Sequence, residues 1–445
     1  PWCAWPEPFA RSFSPGMKIY NLFPLLAGPL PQWTPHLERA AAMGFEWVFV
    51  NPIQPPGQSG SLYSIRDYFG VNPALLTPGS RKRPETQLKE MVKVAEKLGL
   101  RLMIDLVINH CAVDSPLTTQ HPDWFKREGG RIAHPFCLEE DGTKVVWEDL
   151  AQFDHRHSPG AQGLLEYAGR VVEHLIGLGF TGFRCDAAYQ IPADFWRRLI
   201  QGVKRQHPGT LFVAETLGCS PDQTRQTAAA GFDAIFNSAK WWDFSSPWLL
   251  EQYELTRQIA PSIGFPESHD TERLYAESGH NVAALKQRYL FTALFSTGVM
   301  LPMGYEFGFQ RRLHVVKTRP EDWETPAVDL TAFITRVNRI KASHPVFGED
   351  GLLQRLESPN PAILLLWQAS TRGRGQALLV LNKDPWHHQH FHCDDLYRLV
   401  QAPPPLRDVS PEWAMDYLPT PFDFDLHPGM ARVFVTGPSP TAEKP

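Results

Sequence analysis

Short apolar runs that end in polar residues alternate along this chain with longer amphipathic stretches. KIYNLF (18–23), WVFVNP (47–52) and RLMIDLVINH (101–110) read as strands. Between them the spacing of apolar positions becomes helical over 35–44 and 85–99, each stretch closed by a glycine. The alternation continues with a helix over 164–178, a strand over 180–187, a helix over 193–207 and the strand LFVAET (211–216). A helix near 222–230, the strand FDAIFN (232–237), a helix near 249–258 and the strand SIGFPESHD (262–270) follow. A helix over 282–296, the strand GVMLPMGYE (298–306) and a helix over 330–342 complete the series. Eight strands alternating with eight helices predict a (β/α)8 TIM barrel over 1–346. The third strand is followed by a polar insert over 111–158, rich in Pro, His and Asp.

From about Phe347 the texture changes. LQRLES, AILLLWQAS, ALLVLNK and ARVFVT are short alternating or apolar strands separated by Pro- and Gly-rich turns. They predict an all-β sandwich domain over 347–445. The run WHHQHFH (386–392) has irregular spacing and no surrounding set of Cys or carboxylates, so it reads as a solvated strand edge rather than a metal site. The cluster RKR (81–83) reads as a solvated loop ahead of a helix.

In a barrel of this kind the chemistry lies at the C-terminal ends of the strands. Four polar clusters stand there. DLVINH offers Asp105, Asn109 and His110, FRCDAA offers Arg184 and Asp186, FVAET offers Glu215, and ESHD offers His269 and Asp270. Alternation puts Arg184 and Asp186 on one side of their strand and Phe183 and Cys185 on the other. Buried carboxylates without a partner or a task repel one another, so Asp186, Glu215 and Asp270 converging on one rim point to carboxylate chemistry.

Composition narrows the classes. The 445 residues are 43% hydrophobic and 20% charged, enough for one large domain and a small one, each with a core. A net charge of −5 argues against a nucleic-acid partner. No run approaches the ~18 apolar residues that span a bilayer, so no membrane association is expected. Six cysteines without a CxxC pair, and no visible signal peptide, favour reduced thiols and a cytoplasmic protein, leaving room for a Cys111–Cys137 bridge. Fourteen Trp and 27 Phe suit flat sugar faces as well as an ordinary core.

The order DLVINH, GFRCDAA, VAET, SHD resembles the four signature regions of the alpha-amylase superfamily, glycoside hydrolase family 13. SLYSIRDYFGVNP (61–73), EDLAQFD (148–154) and GVMLPMGYEFG (298–308) extend the resemblance from about Lys18 into the β domain. It implies Asp186 as nucleophile, Glu215 as general acid/base and Asp270 as the residue that stabilises the transition state. It further implies that His110 and His269 bond sugar hydroxyls, that Tyr63 stacks on a sugar with Asp67 nearby, that Arg184 holds the nucleophile ionised, and that Arg273 belongs to the binding set. The implied activity is a retaining glycoside hydrolase acting on an α-glucan or α-glucoside. Its alternatives are a transglycosylase or maltosyltransferase, and a non-catalytic carbohydrate-binding relative. A metal-dependent hydrolase using His110 and His269 is a weaker third idea, since clustered ligand spacing is lacking. No cofactor is implied except calcium, and calcium is poorly supported. Where typical alpha-amylases carry Lys-His after the nucleophile strand, this chain has Tyr189 and Gln190, and Ser268 stands where Asn is commoner. HPDWFKREGGRIAH (121–134) and DLTAFITRVNRIKASHPVF (329–347) resemble the bacterial maltosyltransferases that use maltose 1-phosphate, without the long N-terminal region those enzymes carry.

Overall fold

Alternation within each strand decides what the barrel contains. The computed structural model describes residues 16–138, 143–156, 159–371, 375–400 and 405–436. Eight parallel strands close into a cylinder: β1 (Lys18–Leu22), β2 (Trp47–Val50), β3 (Arg101–Leu106), β4 (Gly182–Cys185), β5 (Leu211–Ala214), β6 (Ala234–Phe236), β7 (Ser262–Gly264) and β8 (Gly298–Pro302), with β8 pairing back to β1. Ile19, Trp47, Phe49, Met103, Leu211, Val213 and Met300 point inward and fill the cylinder. Their neighbours Tyr20, Leu22, Val48, Val50, Leu102 and Ile104 point outward into the larger core. Burial on both faces is why these strands read as nearly continuous apolar runs.

One helix packs outside after each strand: α1 (Thr34–Ala42), α2 (Pro84–Lys97), α3 (Ala161–Leu178), α4 (Ala193–Gln206), α5 (Pro221–Ala228), α6 (Trp248–Thr256), α7 (Val282–Phe295) and α8 (Thr331–Ser343). None of the described helices is long and apolar enough to cross a membrane.

The barrel interior is layered. At one end Gly182 faces Trp47 and Met103; a Cβ there would lie 2.9 Å from Trp47 Cζ3 and 3.2 Å from Met103 Cβ. One pleat further along β3 and β4 the register pairs Arg184 with Asp105, and the layer becomes polar.

Several strands are shorter than the sequence predicts. The run 101–110 leaves the barrel after Leu106, 262–270 after Gly264, and 298–306 after Pro302. The physical reason lies in the polar ends themselves. Asp186 N still donates to Leu106 O and Glu215 N to Cys185 O, each at 3.1 Å, and then the chains part to let side chains turn over the mouth. His110–Ala112 forms its own antiparallel pair with Leu150–Gln152, which ties the two ends of the insert together. Cys111 is a buried free thiol, so the bridge to Cys137 is not made.

The C-terminal part is two antiparallel sheets. β9 (Leu352–Leu356), β10 (Ile363–Ala369), β11 (Gln376–Asn382), β13 (Leu406–Asp408) and β15 (Ala431–Thr436) form the larger, and β12 (Gln389–Cys393) pairs with β14 (Phe422–Leu426). Ile363, Leu365, Leu378, Val380 and Phe434 pack toward Phe391 and Phe422 of the smaller sheet. The alternate residues Leu364, Leu366, Leu379, Leu381, Val433 and Val435 join the core shared with the barrel helices. The strands β10, β11 and β15 of the larger sheet are therefore buried on both faces, as AILLLWQAS suggests. His390 and His392 lie on the exposed edge, bonded across to Asp425 and Asp423 at 2.8 Å each.

Gly182→Ala is expected to destabilise the fold by about 1–3 kcal/mol through overpacking against Trp47. The control Gly169→Ala, on α3 where an added Cβ meets nothing within 4 Å, is expected to be neutral or stabilising. Urea midpoints of the two variants read the difference; equal midpoints would contradict this packing.

Candidate active site

A single guanidinium organises the C-terminal rim of the barrel. Arg184 Nη1 donates to both oxygens of Asp105, at 2.8 and 2.9 Å, and to Asp186 Oδ1 at 2.7 Å. Its Nη2 lies 3.0 Å from Glu215 Oε2. Glu215 Oε2 also accepts from the backbone N–H of Ala187 at 2.7 Å. Ala187 adopts φ +42°, a left-handed conformation uncommon for a residue with a side chain. Strain of this kind persists where surrounding contacts over-determine it, and here the turn aims an N–H at a carboxylate. Asp186 Oδ2 and Glu215 Oε1 have no hydrogen-bond partner among the described residues.

The opposite wall comes from β2, β7 and the loops between. Tyr63 Oη donates to Asp105 Oδ2 at 2.6 Å and accepts from Asn51 Nδ2 at 2.9 Å. Asn51 is itself held by Asn21 Nδ2 at 2.9 Å. His269 Nε2 lies 2.8 Å from Tyr63 Oη and 3.0 Å from Asp270 Oδ2, and the two rings are parallel with centroids 5.6 Å apart. Among the described residues, three buried ring nitrogens at the mouth have no hydrogen-bond partner: both of His110 and Nδ1 of His269. Buried polar atoms are rarely left unpaired, so these three mark hydrogen-bonding capacity at the mouth.

One cation facing Asp105, Asp186, Glu215 and Asp270 cannot keep all four ionised equally, and their titrations separate. Burial pushes Glu215 up to about 7, with Arg184 opposing and Asp186 and Asp270 adding to the rise. Burial likewise pushes Asp186 up to about 6, more strongly opposed by its bond to Arg184. Asp270 leans into the mouth with its side chain 58% exposed. Desolvation there works to raise its carboxyl, but His269 outweighs it and holds the group at about 2. Burial lowers His110 to about 4, so its ring is neutral near pH 7.

The chain is similar in sequence or in fold to several known proteins. The family model "Glycogen debranching enzyme, glucanotransferase domain" matches residues 14–125. The alpha-1,4-glucan:maltose-1-phosphate maltosyltransferase of Burkholderia pseudomallei is 26% identical over 389 residues, covering 84% of this chain and 34% of that protein. Its counterpart from Myxococcus xanthus is 25% identical over 410 residues, covering 86% of this chain and 59% of the relative. This chain thus spans between about a third and three-fifths of the length of these relatives. Among solved structures, an alpha-amylase from Lactobacillus plantarum superposes with a TM-score of 0.74 at 20% identity, covering 95% of this chain and 99% of that one. An alpha-amylase from Geobacillus thermoleovorans gives 0.73 at 18% identity, covering 94% and 98%.

The chain is similar in sequence to these maltosyltransferases and in fold to the alpha-amylases.

Of the residues that the superfamily resemblance singles out, Asp186, Glu215, Asp270, Arg184, Tyr63 and His269 are joined in one hydrogen-bonded and ion-paired network. His110 is buried with both nitrogens unpaired. Two others are not brought into the network. Asp67 is exposed, and its Oδ1 accepts from the Phe69 N–H within its own turn. Arg273 is only 1% exposed and is bound to Glu267 Oε1 at 2.7 Å and to the carbonyl of Arg311, so its guanidinium props the loop after β7 instead of reaching the mouth. Sequence reasoning missed Asn21 and Asn51. Their signal is an asparagine at the end of an otherwise apolar barrel strand, where burial demands a partner.

At the position where the resemblance implies a calcium ligand, Asn109 Nδ2 donates to Gln190 Oε1 at 2.8 Å, a bond that leaves the Asn109 amide oxygen uncommitted. No group of three or more His, Cys, Asp or Glu among the described residues is arranged to hold a metal.

The raised Glu215 titration has a consequence for stability. Its carboxyl titrates near 7 in the fold against an ordinary 4.5, so ionising it opposes folding. The contribution is full below about pH 4.5 and is lost as pH rises through about 7. Glu215→Gln is therefore expected to be more stable than the wild type at pH 8, by on the order of 2 kcal/mol, with the gap closing toward pH 4.5. Thermal melts across that range test this, and a gap that does not change with pH would refute it.

Proposed function

We infer that this chain is a retaining enzyme acting on α-glucosidic bonds. The observation that carries the reading is the bridging of Asp186 and Glu215 by one guanidinium, with the Glu215 titration above that of Asp186. A retaining mechanism needs two carboxyls only ~5–5.5 Å apart, one ionised and one protonated. Arg184 binds Asp186 Oδ1 and leaves Oδ2 to attack the anomeric carbon. Glu215, held through Oε2, carries its proton on the unbonded Oε1 and delivers it to the glycosidic oxygen as the carbon–oxygen bond breaks. The product of this half is a glycosyl ester on Asp186. In the second half Glu215, now ionised, takes a proton from an incoming hydroxyl that displaces Asp186 and restores the starting state. Asp270, kept ionised by His269, stabilises the positive charge that develops on the sugar ring. The unpaired nitrogens of His110 and His269 meet sugar hydroxyls.

Water as the incoming group makes the enzyme a hydrolase; the 4-hydroxyl of another glucan makes it a transferase. Similarity to maltosyltransferases over most of this chain favours transfer as the second reading, with maltose 1-phosphate as donor. Incubation with maltooligosaccharides alone and with maltose 1-phosphate, followed by chromatography, separates the two. Growth of longer chains means transfer, and new reducing ends without growth mean hydrolysis.

Asp186→Asn and Glu215→Gln are each expected to lower kcat by about 10²–10⁴-fold or more. Normal turnover in either variant would overturn these roles. The kcat/KM profile is expected to be a narrow bell with limbs near pH 6 and pH 7, the apparent values belonging to the coupled pair. A flat profile between pH 5 and 8 would contradict the assignment.

A further inference from the structure

Two tryptophans stand in solvent where the C-terminal sheets meet the start of α7. Trp413 is 62% exposed and Trp386 is 61% exposed. Trp413 borders a cleft of about 200 Å³ with Leu290, Phe333 and Met430 at its floor and Lys286, Glu412 and His427 at its rim. A buried scaffold holds the indole outside. The Trp413 backbone sits at φ +49°, in the left-handed region that a bulky residue rarely adopts. Arg432, itself buried and paired with Asp408, donates Nη1 to the carbonyls of Glu412 at 3.2 Å and Trp413 at 2.8 Å. A strained backbone pinned from within thus displays a large apolar ring where burial alone would not leave it. The indole stacks on His427 at 4.9 Å, and the His427 ring lies 4.6 Å from His388.

We propose that this face is a second α-glucan-binding site, separate from the catalytic mouth. The α-glucan reading above supplies the ligand chemistry, and the surface itself fits it. A pyranose offers an apolar C–H face to an indole and hydroxyls to a rim of donors and acceptors. Lys286 Nζ bonds Glu412 Oε1 at 2.7 Å, so that pair's charges cancel while each group keeps capacity for neutral hydroxyls. A protein partner would need a broad apolar face rather than one ring over a narrow cleft. Position supports the same occupant. The segment that starts at Asp270 in the mouth ends at the first turn of α7, and a Cβ on Gly279 within it would lie 4.0 Å from the Trp386 ring. Barrel helices run back from the rim that carries the chemistry, and Val282, Ala283 and Lys286, which line the cleft, lie in the first turns of α7 at that end. A long glucan held there has its other segments within reach of the mouth.

The test is retention of the full chain in native gels containing glycogen, compared among wild type, Trp413→Gly and Trp413→Phe. Glycine accepts φ +49° without strain, so Trp413→Gly removes the ring while sparing the fold, which an unchanged Tm verifies. Trp413→Gly is expected to lower glycogen affinity about tenfold, the effect of losing an aromatic anchor. Trp413→Phe should keep most of the affinity, and turnover of short maltooligosaccharides should stay unchanged in both. Wild-type retention that Trp413→Gly leaves intact, or no retention of the wild type, would overturn the second site. So would a Trp413→Gly variant that changes only the sedimentation of the protein, which would mark a face between two copies. Trp413-dependent retention without turnover of any α-glucan would instead sink the enzymatic reading and leave this site standing.

Discussion

Arg184 is the constraint around which the barrel mouth is built. Its guanidinium touches Asp105, Asp186 and Glu215, with Asp270 close enough to shift the titration of two of them. A buried ion pair returns its desolvation cost only when geometry and hydrogen bonding are good. One cation against this many acids cannot satisfy them all as anions. The result is a graded set: Asp270 ionised, Asp186 near 6 and Glu215 near 7. Two neighbouring carboxyls with separated titrations thus arise from a single charge imbalance.

That imbalance is tolerable because the rest of the cylinder holds it rigidly. Below the polar layer Gly182, Trp47 and Met103 are packed too closely for an added carbon. Beside it, Asn21, Asn51 and Tyr63 form a relay that ends on Asp105, so Arg184's first partner is itself oriented from two sides. The strained turn at Ala187 fixes Glu215 from the backbone. Each support comes from a different strand or loop, and only closure of the barrel makes them neighbours.

The C-terminal sheets extend the same logic outward. Because β10, β11 and β15 are buried on both faces, they are fixed against the barrel helices rather than loosely attached. Gln287 Nε2 donates to Asn382 O at 2.7 Å and Asn281 Nδ2 to Pro385 O at 2.8 Å, both from the α7 region. An aromatic platform on this part therefore holds a set position relative to the mouth.

Much of this was legible in one dimension. The switch between strand and helix periodicity specified a parallel α/β fold, because two-sided burial leaves near-continuous apolar strand runs, and the count of eight strands and eight helices matches a closed barrel. Polar residues at the ends of those runs marked Asp105, Asp186, Glu215 and His269, and the two-residue spacing put Arg184 and Asp186 on one side. What tertiary structure decided was which of the marked residues meet. Tyr63 and His269 touch only because β7 lies near β2 across the closed cylinder, whereas Arg273, three residues beyond Asp270, turns inward to Glu267 and Asp67 stays in its own exposed turn. The Asn21–Asn51 support and the Asn109–Gln190 bond were invisible for the same reason, since an amide declares its partner only when both are buried together. The order of the carboxyl titrations likewise belongs to three dimensions. It is set by how deeply each acid is desolvated and how its distance to Arg184 compares with its distance to the other acids, and neither quantity exists along an unfolded chain.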